Sequence, residues 1–405
     1  MQNIFNIASI AAASLCVFST NCFAEEAEKI PVNQVTNFWE RKLIQPSVIH
    51  NGGDIYQLNS EISINIKSQI AAEDSEKYMK DSKYVQGLML IENGKIVYES
   101  YKNPGSKEKY FYSQSIAKSF VSLALGKALC AGHVRDIDMK ASEIVPGLGN
   151  SNLGRSTLRQ LLTMSSGIYW TKFVGWPEYK SNGIGVKNDR SLHKSGEAPV
   201  TYGKISVDGI LFGRGISNIK EINVAEPGKY FVYKAYDPIA IGKIIEVSTK
   251  RTVADFFSEE IWKNIGAESV AYWTKDKNGS NLTNAGFAAR LRDYGRLAIW
   301  IVEQREKDNC FGKYLREATS KQIDNNKIEK SVADSNYSGG LWRGYGYFWW
   351  TDHKQGVPGF FGKGYAGQHF GINPNTKKII IKFSSQGDSG SGGVYDIFKK
   401  WNKNY

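Results

Sequence analysis

Histidine and cysteine are scarce in this chain, at five and four residues in 405. The histidines are scattered and no Cys/His cluster has metal-ligand spacing, so the sequence implies no metal. Lys and Arg are not interleaved with aromatics in a nucleic-acid pattern, which sets that class of partner aside. Low-complexity segments and internal repeats are also missing, which argues against a disordered chain or a solenoid. A further deficit is local. The first 24 residues contain no Asp, Glu, Lys or Arg, run apolar through "IASIAAASLCVF", and end "NCFA" before "EEAEK". That is the pattern of a secretory signal cleaved after Ala24, with only the terminal amine as its basic end. An N-terminal membrane anchor is disfavoured, because the apolar run is shorter than the ~20 residues a span needs. Neither Cys16 nor Cys22 follows the small residue that a lipoprotein cleavage box requires. The expectation is a periplasmic or secreted protein with no stable membrane anchor.

Cleavage there would leave two cysteines, Cys130 and Cys310. In an oxidising compartment they could pair, and a buried free thiol fits the sequence equally well. The rest of the composition is that of a globular chain, with 41% hydrophobic, 13% aromatic and 23% charged residues, long enough for a large core and for two or three domains. The net charge is +12, and the uncharged leader contributes nothing to it. A basic surface could favour weak association with anionic surfaces such as lipid head groups or acidic wall polymers. A solvated, soluble surface is the simpler reading.

Residues 85–101, "VQGLMLIENGKIVYESY", alternate and turn at Asn93-Gly94, a hairpin signal. Near the other end, "GYGYFWW", "FFGKGYAGQHF" and "KKIIIKFSS" read as three more strands, and "GVYDIFKKWNKNY" as a closing helix. Between them, from about 112 to 330, helical patterns dominate, among them "AKSFVSLALGKALCAG", "STLRQLLTMSSG" and "AARLRDYGRLAIWIVEQ". Strands at both ends predict one sheet assembled from the two termini, a helical region inserted between them, and a cleft at the junction.

Ser-x-x-Lys occurs four times, as SKEK (106–109), SIAK (115–118), SLHK (191–194) and SNIK (217–220), so the spacing alone is weak. SKEK follows "NPG" in a loop-like stretch, and SLHK and SNIK lack an apolar face. Only SIAK opens a long amphipathic pattern, in which Ile116, Phe120, Val121, Leu125 and Leu129 supply the buried stripe. Three residues along a helix place Ser115 and Lys118 on one face, a turn apart. Serine needs a base to become a nucleophile, and a lysine can serve only when neutral, which burial and a helix N-terminus both favour.

Several ordered segments then carry a resemblance. "YSQSIAKSF", "STLRQLLTMSSGIYW", "EPGKYFVYKAYDPIAIG", "NAGFAARLRDYGRLAIW" and "YGYFWW" resemble, in that order over about residues 85–400, the penicillin-recognising serine hydrolases. These include class C β-lactamases, DD-peptidases and related esterases, and the likeness is greatest to the nylon-oligomer (6-aminohexanoate-dimer) hydrolase branch. The resemblance implies that Ser115 is the nucleophile, Lys118 its base, and Tyr233 of "FVYKA" the second proton carrier. Where many relatives have Tyr-x-Asn, this chain has Tyr233-Lys234-Ala235, and alanine cannot donate to a substrate amide. The third motif, usually Lys-Thr-Gly, is matched best by Gly362-Lys363-Gly364. That register implies an oxyanion hole from the backbone N–H groups of Ser115 and Tyr365. Gln368 could be polar support or an ordinary strand-edge amide.

The implied fold is an α/β β-lactamase/transpeptidase-like fold with an antiparallel sheet built from both chain ends and a helical region inserted. The expected organisation is a signal peptide at 1–24, an N-terminal extension at 25–80 and the hydrolase domain at 81–405. Within that domain the sheet part covers about 81–111 and 340–405, and the helical part about 112–339. The expected activity is acyl-enzyme hydrolysis of an ester or amide in a small-molecule or short peptide-like substrate, with no cofactor. Two alternatives stand beside it: a β-lactamase or DD-peptidase acting on β-lactams or wall peptides, and a wall-fragment binding protein on the same scaffold without turnover. A protease reading of "QGDSGSGG" (386–393) is disfavoured, because it needs an upstream His and Asp on an all-β scaffold and "CAGHVRD" (130–136) lies among helical patterns.

Overall fold

The computed structural model describes residues 35–36, 46–173 apart from 62 and 64, 206–212, 219–325 apart from 224 and 277, 340–385 and 392–403. The expected signal segment, SLHK and residues 386–391 of the "QGDSGSGG" stretch lie outside the described residues. The strands Val85–Glu92 and Lys95–Tyr101 form the expected hairpin, with Asn93 (φ 51°) and Gly94 (φ 79°) supplying the two left-handed residues that a two-residue turn requires. The first strand does not alternate in burial, because Val85–Ile91 are all buried. It packs against helix Ile66–Asp81 and helix Leu291–Glu306, and a strand covered on both faces reads as a continuous apolar run.

That hairpin joins strands from the far end of the chain in one eight-stranded sheet. Its order is Ile323–Asp324, Trp342–Tyr345, Trp350–His353, Phe360–Gly364, Gln368–Asn373, Lys378–Ser384, Val85–Glu92, Lys95–Tyr101, antiparallel throughout. The chain ends therefore do build one sheet. Two segments expected as single strands are strand–turn–strand units instead. "FFGKGYAGQHF" doubles back through Ala366 (φ 59°) and Gly367 (φ 77°), and "GYGYFWW" turns through residues 346–349 with Phe348 at φ 62°. The closing helix runs Gly392–Asn402 and lies against helix Ile66–Asp81, where Trp401 Nε1 donates to Ser68 Oγ at 2.8 Å.

A second, five-stranded sheet was not anticipated. It comprises Val35–Thr36, Tyr110–Tyr112, Phe287–Arg290, Ala271–Trp273 and Ser47–Ile49, in that order. Each strand has two to four residues, too few to show a period, and the stretch expected as helix from Ala288 is strand up to Arg290. The helix Ile116–Cys130 lies between the two sheets. Phe120 meets Phe287 of the small sheet edge-on at 4.9 Å and Phe370 of the large one at 5.6 Å, contacts of about 0.5–1.5 kcal/mol each beyond burial. The expected single stripe understates the burial of this helix. Ile116 to Gly126 are all buried, Lys118, Ser119 and Ser122 included, because helices 236–249, 253–260 and 310–318 pack around it. At its far end Cys130 and Cys310 form a disulfide, with Cα atoms 5.7 Å apart, which settles the choice between pairing and free thiols.

Candidate active site

Ser115 occupies the N-cap position of that helix, and Lys118 is one turn inside it. Lys118 Nζ lies 2.9 Å from Ser115 Oγ and donates to the Asn284 carbonyl at 2.7 Å. The lysine is 1% exposed, so its aliphatic stem is enclosed and its amine has little room to point elsewhere. The turn leading into the serine is bent at Gln114, whose φ of 54° costs a non-glycine residue on the order of 1 kcal/mol. Such strain is characteristic of positions that hold a reactive group in place.

Tyr233 is brought beside this pair. Its ring face lies 5.0 Å from Lys118 Nζ, and the ring packs on Trp350 at 5.2 Å and edge-on to Tyr345 at 6.3 Å. Ala235 is 1% exposed and occupies the N-cap position of helix Tyr236–Thr249. Lys234, between them, is turned into the core, where its Nζ is 3.2 Å from the Asp237 carboxylate. Burial pushes the lysine down and the aspartate up, and each partly restores the charge of the other.

The strand Phe360–Gly364 runs along the N-terminal turn of the serine helix. A side chain at Gly364 would put its Cβ 2.4 Å from the Ser113 carbonyl oxygen, and one at Gly362 would press on Ile116 and Ser119 at 3.0 and 3.2 Å. The two glycines thus let the strand approach the serine turn closely, and Tyr365, 55% exposed, follows directly at its end. Lys363 carries its ammonium 5.1 Å over the Trp350 ring, and burial lowers its pKa to about 8. Gln368 is not a spare edge amide. Its Nε2 lies 2.8–3.1 Å from the Tyr365, Ala366 and Ser384 carbonyls and its Oε1 accepts from Ser384 N at 3.0 Å. It therefore fixes the turn that carries Tyr365.

All four sequence candidates are described: Ser115, Lys118 and Tyr233 converge, and Tyr365 follows the glycine strand at the serine turn. The sequence did not single out Asn284, Trp350 or Gln114. Asn284 and Trp350 lie within the "NAG" and "YFWW" landmarks, which were the available signal for them. His133 of the protease-like stretch lies beyond the C-terminal end of the serine helix, edge-on to Phe256 at 6.0 Å. The helix has 15 residues, and at about 1.5 Å per residue its length separates His133 from Ser115. Among the described residues no group of three or more His, Cys, Asp or Glu could hold a metal ion, and no helix is long and apolar enough to cross a membrane.

The Beta-lactamase family profile matches residues 79–402, four-fifths of the chain. A 6-aminohexanoate-dimer hydrolase of Paenarthrobacter ureafaciens is 21% identical over 308 residues, 74% of this chain and 72% of that one. Among solved structures, a Bacillus anthracis protein provisionally assigned as a 6-aminohexanoate-dimer hydrolase superposes with a TM-score of 0.67 at 20% identity, covering 88% of this chain and 89% of that one. EstCE1, a hydrolase with promiscuous acyltransferase activity, gives 0.62 at 13% identity, over 83% of this chain and 99% of its own. With the fold, the ordered motifs and the profile in agreement, the chain belongs to the beta-lactamase family of serine hydrolases.

Proposed function

We propose that this protein is an exported serine hydrolase that cleaves a linear ester or amide through an acyl-enzyme, and that it is a poor β-lactamase. The observation that carries the reading is the 2.9 Å approach to Ser115 Oγ of Lys118 Nζ, on a lysine that is 1% exposed. In the first step Lys118 takes the proton of Ser115 as Oγ attacks the substrate carbonyl. The backbone N–H groups of Ser115 and Tyr365 receive the developing oxyanion. Tyr233 passes the proton to the leaving alcohol or amine, and the C–O or C–N bond breaks. In the second step the same groups deprotonate a water, which attacks the ester carbon, and the proton returns to Ser115. Export is supported by the Cys130–Cys310 disulfide, which oxidising compartments favour, together with the leader-like first 24 residues.

The substrate class follows from Ala235 and the "GKG" strand. A substrate amide that meets alanine in place of a hydrogen-bonding side chain loses about 1–3 kcal/mol when buried, and the nucleophilic pair is untouched by that change. Short acyl esters and linear amides, aminohexanoate-type oligomers among them, are accordingly favoured over penicillins and cephalosporins. Steady-state kinetics on a p-nitrophenyl ester and on nitrocefin, run side by side, test this: kcat/KM is expected to be higher for the ester by at least ~30-fold, two such losses combined. A higher value for nitrocefin would make the protein a β-lactamase.

A further inference from the structure

We infer that Lys234, tied to Asp237 and Ser166, is the positioning residue for Tyr233, an inference that rests on Tyr233 acting as the proton carrier proposed above. Residues 230–235 form no helix or strand, so no helical or sheet ladder fixes the tyrosine. What holds the segment is a set of buried ties on either side of it. Val232 N donates to the Met164 carbonyl at 2.8 Å. Lys234 Nζ lies 3.4 Å from that same carbonyl and 3.2 Å from the carbonyl of Val232. Asp237, 0% exposed, meets Lys234 at 3.2 Å and accepts from Ser166 Oγ at 2.7 Å. Both neighbours of Tyr233 are thereby bound to one turn, residues 164–166.

That turn is also bound to the serine helix. Phe348 N donates to the Leu162 carbonyl at 3.0 Å, and the Phe348 carbonyl accepts from Ser119 Oγ at 2.7 Å, one turn beyond Ser115. Met164 and Phe348 are buried non-glycine residues with φ of 56° and 62°. Strained residues of this kind persist only where their surroundings over-determine them. A path of buried hydrogen bonds and short backbone stretches thus runs from the serine helix through Phe348 and residues 162–166 to the backbone flanking Tyr233. Stability alone does not account for the two charges in it, because a buried ion pair can often be replaced by neutral groups at little cost. What the ammonium adds is direction: several donors on one group pin a segment that has no ladder of its own.

Misplacing a leaving-group proton donor penalises poor leaving groups selectively, whereas general loosening of the site penalises all substrates. In an acyl-enzyme mechanism kcat/KM reports acylation alone, so the comparison is between p-nitrophenyl butyrate and ethyl butyrate. Lys234→Met combined with Asp237→Asn removes both charges and leaves Ser166 an acceptor. Its kcat/KM is expected to fall ~100-fold for the ethyl ester and less than ~5-fold for the p-nitrophenyl ester, within the range of one general acid. Tyr233→Phe should show the same selectivity, and combining the two changes should add little. Ser166→Ala, which keeps both charges and removes only the hydrogen bond to Asp237, should lose ~10-fold on the ethyl ester alone and serves if the first variant does not fold. Equal losses on both esters, or none, in the Lys234 and Ser166 variants beside a selective Tyr233→Phe would overturn the positioning role only. A Tyr233→Phe that treats both esters alike would overturn the reading of Tyr233 and the inference with it.

Discussion

The helix Ile116–Cys130 holds Ser115 and Lys118 on a single backbone ladder, whereas Tyr233 lies across the cleft in a segment, residues 230–235, with no ladder of its own. On the first wall the spacing of the two side chains is local. It is set by helical geometry and enclosed by packing on all sides, so it tolerates damage at a distance. On the second wall the position of the reacting group is tertiary. It depends on a buried ion pair, on the Leu162–Ser166 turn and on the Trp350 ring, and it fails when one of those ties is cut. The site thus combines a self-supporting serine–lysine pair with a tyrosine supported from elsewhere.

The largest effect is expected where the self-supporting wall is broken chemically. Lys118→Ala should lower ester turnover by roughly 10⁴-fold, because residues that act as a unit fail together. Lys118→Arg should fare no better, since a guanidinium does not give up its proton at usable pH. Retained turnover in either would mean that another group activates Ser115. The next test breaks the same wall mechanically, at its far end. Replacing Cys130 and Cys310 by alanine opens a cross-link spanning 180 residues and should lower stability by about 2–5 kcal/mol. Turnover at 25 °C should nonetheless stay within ~2-fold, because Ser115 and Lys118 are fixed by their own helix. A parallel loss of activity and stability, seen by denaturant titration beside kinetics, would show that the helix is not self-supporting.

The smallest effect concerns the tyrosine wall, where Lys363 sits over Trp350, the ring on which Tyr233 packs. Burial lowers the pKa of Lys363 to about 8, against an ordinary lysine value of 10.5. Between those values the unfolded chain holds a proton that the folded one has released, so stability contributed by this group rises with pH across that window. Below about pH 8 both states are protonated and the folded state bears the cost of a desolvated ammonium. Lys363→Met should therefore stabilise the protein at pH 7 by on the order of 1 kcal/mol, after discounting for the partial exposure of the side chain. That advantage should shrink as pH rises above 8. A stabilisation independent of pH would assign it to packing rather than to charge.

The same contrast explains what could be read from the residues alone. Ser115 and Lys118 were legible because three residues on a helix define a geometry and the surrounding motifs recurred in order. The hairpin at Asn93-Gly94 and the assembly of one sheet from both chain ends were legible for a similar reason, since turn chemistry and apolar runs are local signals. The five-stranded sheet was not, because strands as short as Ala271–Trp273 carry no period. The burial of the serine helix from Ile116 to Gly126 was hidden by the three polar residues of that stretch, Lys118, Ser119 and Ser122, which find their partners in distant segments. Gln368 and Lys234 are of the same kind: an amide and an amine whose roles depend on carbonyls that only the fold brings near.

The central claim is that Ser115 is the covalent nucleophile and Lys118 its base, and active-site labelling tests it most directly. Protein treated with a fluorophosphonate should gain one adduct per chain, and peptide mapping should place it on Ser115. The adduct should be absent in Ser115→Ala and in Lys118→Ala, and ester turnover in Ser115→Ala should fall roughly 10⁴-fold or more. An adduct that persists in Ser115→Ala, or turnover unchanged by that substitution, would contradict the account.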